Sequence, residues 1–174
     1  MRSTSPPGFL LLLLIGLADA SFPGSAAGQG SLKDIQRSIR ERLLTEAGDT
    51  GLVYTKVDFS HCAATIQSRT LKQPGNREVR VTTTFHLASL DPLVTLLEGG
   101  PPFVLRVKSA DDVPGFRQLQ QVIDSGMVRE SVTSTPALEL GFLRRGTADV
   151  VKTGFGRLTA LCRSDDPLLR APGA

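Results

Sequence analysis

The run Asp58-Phe59-Ser60-His61-Cys62 sets an acid, a hydroxyl, an imidazole and a thiol within five residues. Such groups do nucleophilic chemistry when a base reaches the nucleophile at hydrogen-bond distance. A strand reading works against that here. Side chains on a strand alternate between faces, so Asp58, Ser60 and Cys62 point one way and His61 the other. A hydrolase or thiol enzyme would instead join Cys62 to His86 from a neighbouring strand. His61 and His86 are the only histidines. With Asp58 or Asp91 they would complete a two-histidine, one-carboxylate metal site, provided they shared a sheet face. Solvated or hydrogen-bonded structural histidines are the commoner outcome, so no catalytic, cofactor-binding or metal-binding residue is assigned.

From Glu78 to Leu87 the chain alternates. Val79, Val81, Phe85 and Leu87 fall on one face, and Arg80, Thr82, Thr84 and His86 on the other, with Thr83 as the exception on the apolar side. The second set is a candidate polar binding face, weighed against a plain solvated sheet surface. Asp111-Asp112 and Asp165-Asp166 are acid pairs without calcium-loop spacing, and read as solvated turn and helix-end residues. Asp124-Ser125-Gly126 lacks the G-x-S-x-G elbow. Walker loops, dinucleotide glycine triplets, HExxH and zinc clusters do not occur, and Asn76 is followed by Arg77-Glu78, so there is no glycosylation acceptor.

Composition narrows the field. With no Trp, one Tyr (Tyr54) and eight Phe, the chain lacks the flat aromatic faces used for base stacking or carbohydrate platforms. A net charge of +3 with dispersed Lys and Arg argues against nucleic acid, and allows weak attraction to an anionic envelope surface.

The first twenty residues resemble a secretory leader in layout. Arg2 precedes an apolar run, Phe9 to Leu17, and Ala18-Asp19-Ala20 supplies small residues at the −3 and −1 positions. The run is shorter than the roughly 20 apolar residues needed to cross a bilayer core as a helix. Cleavage between Ala20 and Ser21 is expected, leaving no transmembrane helix in a secreted or periplasmic product. In such an oxidising setting Cys62 and Cys162, which have no CxxC spacing, are expected to form one disulfide. Closing a loop of about 100 residues is worth roughly 4.7 kcal/mol in the chain-entropy model.

The elements that would position these residues follow from periodicity. After a flexible lead-in at 21–30, Ser31 caps a helix with an apolar stripe of Leu32, Ile35, Ile39 and Leu43, ended by Gly48. Residues 52–70 read as one long strand bent near Ser60, and Gln73-Pro74-Gly75-Asn76 as the turn of a hairpin into the alternating strand 78–87. A short helical turn is expected at 91–97, a loop at 98–102, a strand at 103–108 and a short helix at 116–123. Strands follow at 127–135 and 137–143, separated at Pro136. A helix carrying Val151, Phe155, Leu158 and Cys162 runs from about Thr147 to Arg163, with Gly154 and Gly156 allowing close packing. Residues 164–174 form a tail.

This order predicts one α+β domain over 31–163: a mainly antiparallel sheet of about four to five strands packed with an N-terminal and a C-terminal helix. The expected function is a non-enzymatic binding or interaction module outside the cytosol. Its expected partner is an envelope component or another exported protein, with no cofactor and no nucleic acid. The alternatives are a hydrolase or thiol enzyme using Cys62 or His86, and a carrier holding an apolar ligand beside Phe85, Leu87 and Phe155.

Overall fold

The computed structural model describes residues 31–46, 51–72, 77–97 and 99–165. The leader, the lead-in, Gly48, the turn at 73–76 and the tail beyond 165 lie outside these residues.

The chain folds as α1 (Leu32–Thr45), β1 (Leu52–Ser60), β2 (Ala63–Lys72), β3 (Arg77–His86), β4 (Thr95–Leu97), β5 (Phe103–Lys108), β6 (Phe116–Asp124), β7 (Met127–Thr135), β8 (Ala137–Phe142) and α2 (Arg145–Asp165). Two antiparallel sheets form, one in the order β1-β2-β3-β6-β7 and one in the order β4-β5-β8. The two helices pack on each other, α1 also against β1, and α2 against the smaller sheet. The class is α+β, with five strands in the main sheet and a second sheet of three.

α1 starts where the sequence places it. Ser31 Oγ accepts from the Asp34 amide at 3.3 Å, satisfying one of the helix's unpaired donors. Its buried face carries Gln36, Ile39 and Leu43. At its other end the Glu46 carboxylate accepts from the amides of Leu143 (2.7 Å) and Arg144 (3.0 Å), just ahead of α2. One carboxylate thus ties the end of the first helix to the positive end of the second.

The core lies between the helices and both sheets, where Val57, Ala64, Ile66, Phe85 and Phe116 of the main sheet and Leu105, Val107, Leu138, Leu140 and Phe142 of the smaller one are buried. Phe85 packs against Phe116 with ring centroids 5.1 Å apart and against Phe155 of α2 at 6.3 Å. Thr83 is buried on this face as the alternation requires. Gly154 allows α2 to approach α1, since a Cβ there would sit 2.8 Å from Ile39 Cδ1. Arg163 clamps the short turn after β3, donating to the carbonyls of Ala88 and Leu90.

Three expectations are corrected. Residues 52–70 are two strands, reversing direction at His61-Cys62, where His61 adopts φ 51°. A β-rich composition reads the same on either side of such a tight turn, so only the reversal was hidden. Residues 91–97 hold no helical turn: the Asp91 carboxylate accepts from the Leu93 amide, and β4 follows. Residues 116–123 are strand β6 rather than a helix. Ser125 (φ 50°) and Gly126 (φ 83°) form its two-residue hairpin turn into β7. The free edge of β3 needs a partner, and that pairing overrides the accidental helical spacing of Phe116, Leu119 and Val122. Pro136 does separate two strands, and they belong to different sheets.

Candidate functional site

The reactive run is placed first. Cys62 sits in the β1–β2 turn and is bonded to Cys162 of α2, with Cα atoms 5.6 Å apart. The bridge pins the closing helix to the opening hairpin and leaves no thiol among the described residues. The Cys62 carbonyl accepts from the Leu87 amide at 2.7 Å, so the end of β3, including His86, does lie beside Cys62. His61 is exposed, and its carbonyl accepts from Gln36 Nε2 at 2.7 Å. Asp58 is engaged by Lys56 at 2.9 Å and Arg40 at 3.9 Å. Because the chain turns at 61–62, Cys62 does not share a strand face with Asp58 and Ser60. No group of three His, Cys, Asp or Glu side chains placed to hold a metal ion occurs among the described residues. Asp112 pairs with Lys108 at 3.6 Å and Asp124 with Arg77 at 3.4 Å. No helix among the described residues is long and apolar enough to cross a membrane.

Phe85, Leu87 and Phe155 are fully packed core residues. A groove lies elsewhere, on the outside between α1 and α2. It measures about 480 Å³ and is lined by Ile35, Ile39, Val150 and Gly154 with Asp34, Asp149 and Arg157 at its margin.

The outer face of the main sheet carries the polar set. Arg80, Thr82, Thr84 and His86 alternate with the inner-facing residues of β3, as expected from sequence. The register sets Arg80 directly opposite Arg69 of β2 on one side and Gln121 of β6 on the other. Thr82 lies between Gln67 and Leu119, and Thr84 between Thr65 and Arg117. A depression of about 370 Å³ forms over Thr55, Gln67, Arg69, Arg80, Thr82 and Gln121. Thr55 reaches it because the β1–β2 register slips between Tyr54 and Lys56. Arg80 and Thr82 therefore line the hollow, while Thr84 and His86 extend the same face beyond it.

Two arginines directly opposite on one sheet face repel. Glu78 answers only part of this charge. Arg80 Nε donates to Glu78 Oε1 at 2.5 Å. That hydrogen bond, supported by the charges of Arg80 and Arg69, holds the Glu78 carboxyl below its usual range despite partial burial. Arg69 makes no ion pair among the described residues. Arg69 faces the hollow beside hydroxyl and amide groups, and Gln121 on its far side donates to Glu130 Oε1 at 2.6 Å, so a second carboxylate stands at that margin. A carboxylate or phosphate placed there would meet the Arg69 guanidinium, a group suited to planar, bidentate contacts.

Arg69 and Gln121 were missed from sequence. The Pro-Gly turn contained the signal for Arg69, since reflection about its centre pairs residue 69 with residue 80. Gln121 was hidden by the helical reading of β6.

The fold and this face define a disulfide-stapled α+β domain with an open, polar sheet surface. No protein-family model, curated protein or solved structure matches the chain.

Proposed function

We propose that the protein is an exported, non-enzymatic interaction module whose outer sheet face binds an acidic partner, either an envelope component or another exported protein. Export rests on the leader-like residues 1–20 and agrees with a disulfide between Cys62 and Cys162, a bond that persists in oxidising compartments. The observation that carries the binding reading is the facing pair Arg69–Arg80, of which only Arg80 is ion-paired among the described residues. A like-charged pair costs stability in the free protein, and an incoming anion relieves that cost.

The test is binding of a short polyglutamate peptide and, separately, of vesicles bearing an anionic headgroup. The two arms distinguish a protein partner from a lipid one. Arg69→Gln/Arg80→Gln is expected to lose about tenfold in affinity, the scale of two exposed charge contacts. Arg157→Gln, on the helix side, is expected to change nothing. Equal binding by the double variant and the wild type would refute the reading.

A further inference from the structure

The two sheets present four edges, and three of them are closed. At β1 the register slips beside Thr55, Lys56 and Asp58 stand charged along the strand, and Arg40 Nε donates to the Val57 carbonyl at 2.8 Å. At β8 the Tyr54 hydroxyl accepts from the Gly141 amide at 2.8 Å and donates to its carbonyl at 3.2 Å. β4 is only three residues long. Short strands, bulges, charge and covering side chains are the usual devices that stop a sheet from pairing with another chain.

β7 is neither short, bulged nor covered by a side chain among the described residues. It is nine residues long, pairs among the described residues only with β6, and is free of Pro, Gly and Lys. Met127, Val128 and Val132 are 61%, 56% and 55% exposed, so three of the large apolar side chains left in solvent lie on this one strand. Its two charges, Arg129 and Glu130, cancel.

The hairpin fixes which backbone groups are spare. In a two-residue turn the flanking pair, here Asp124 and Met127, exchanges both hydrogen bonds, and such pairs alternate up the ladder. Residues 127, 129, 131, 133 and 135 therefore bond to β6. Val128, Glu130, Val132 and Ser134 turn their N–H and C=O groups to the open edge.

We infer that this edge pairs antiparallel with β7 of a second copy of the chain, about a two-fold axis through Ser131. A two-fold perpendicular to the sheet keeps the outer faces on one side, so only residues of equal parity can meet. Centring on Ser131 sets Val128 opposite Ser134 and Glu130 opposite Val132, twice over. All four outward residues are then used, making about eight backbone hydrogen bonds at two per pair. Shifting the axis to Glu130 puts two carboxylates face to face. Shifting it to Val132 wastes Val128 on Pro136, which has no N–H. The strand is thus complementary to itself in one register, and two five-stranded sheets become one of ten strands. This pairing does not depend on the anion-binding reading of the outer face.

Sedimentation of the full chain across a concentration series is expected to show a monomer–dimer equilibrium. Val132→Pro removes an N–H that faces the open edge and no bond to β6, so it is expected to give a monomer with native circular dichroism. Val132→Lys is expected to do the same without altering backbone geometry. Ser131→Cys is expected to form a disulfide-linked dimer, because the central non-bonded pair brings Cα atoms to about 4.5 Å, within disulfide reach. Thr133→Cys, offset from its own copy by four residues, is expected not to. A chain that stays monomeric at high concentration overturns the inference. So does a dimer that survives both Val132 variants, or one in which Thr133→Cys links and Ser131→Cys does not. Pairing of a monomeric chain with an unrelated strand peptide would also overturn it.

Discussion

Replacing Tyr54 with Phe removes the hydroxyl that closes the edge of β8. Two bonds are lost at once, the 2.8 Å acceptance from the Gly141 amide and the 3.2 Å donation to its carbonyl. Tyr54 is 4% exposed, so water does not readily replace the hydroxyl. Leaving a buried backbone group unpaired costs about 1–3 kcal/mol. At roughly 3–5 °C per kcal/mol for a domain of this length, the melting temperature should fall by about 3–15 °C. The same residue sets an alkaline limit. Burial pushes its phenol well above the ordinary value, with the charge of Glu46 adding to this and the Gly141 bond opposing it. The folded value exceeds the unfolded one of about 10. The contribution of Tyr54 to stability is therefore complete below that pH and is lost as pH rises toward the folded value. Tyr54 is the only tyrosine and there is no tryptophan, so tyrosinate absorbance near 295 nm reports this group alone. The titration should stay silent through pH 10 and then appear together with unfolding. A phenol that ionises near pH 10 in a still-folded chain would refute this reasoning, as would Tyr54→Phe melting with the wild type.

Other outcomes follow from the packing. Removing the bridge as Cys62→Ser/Cys162→Ser should cost up to about 4.7 kcal/mol, measured by denaturant unfolding, since it frees a loop of 100 residues. Gly154→Ala should destabilise by about 1–2 kcal/mol despite a gain in helix propensity. The new Cβ would meet Ile39 Cδ1 and Cγ1 at 2.8 and 2.9 Å, so the buried Ile39 side chain must shift. A melting temperature above wild type would contradict that geometry.

Much of the architecture is legible in the residues. Ser31 as cap, the Pro-Gly hairpin, the alternation on β3, the break at Pro136, the α2 stripe and the joining of Cys62 to Cys162 all follow from local pattern. What escapes is where local pattern is degenerate. The reversal at His61-Cys62 uses no Gly or Pro, because a positive φ at His61 does the work that a glycine would advertise. β6 carries apolar residues at spacings that fit a helix as well as a strand, and only the unpaired edge of β3 decides between them. The candidate site was half visible for the same reason. Arg80 and Thr82 stand on a clearly alternating strand, whereas Arg69 and Gln121 enter through cross-strand register, which no single segment encodes.

A nitrogen–proton correlation titration of the oxidised chain with a polyglutamate peptide would map where the acid lands. Shifts should concentrate at Gln67, Arg69, Arg80, Thr82 and Gln121, and weaken as salt is raised. Shifts confined to the groove between α1 and α2, or none at all in low salt, would contradict an outer sheet face built for acidic partners.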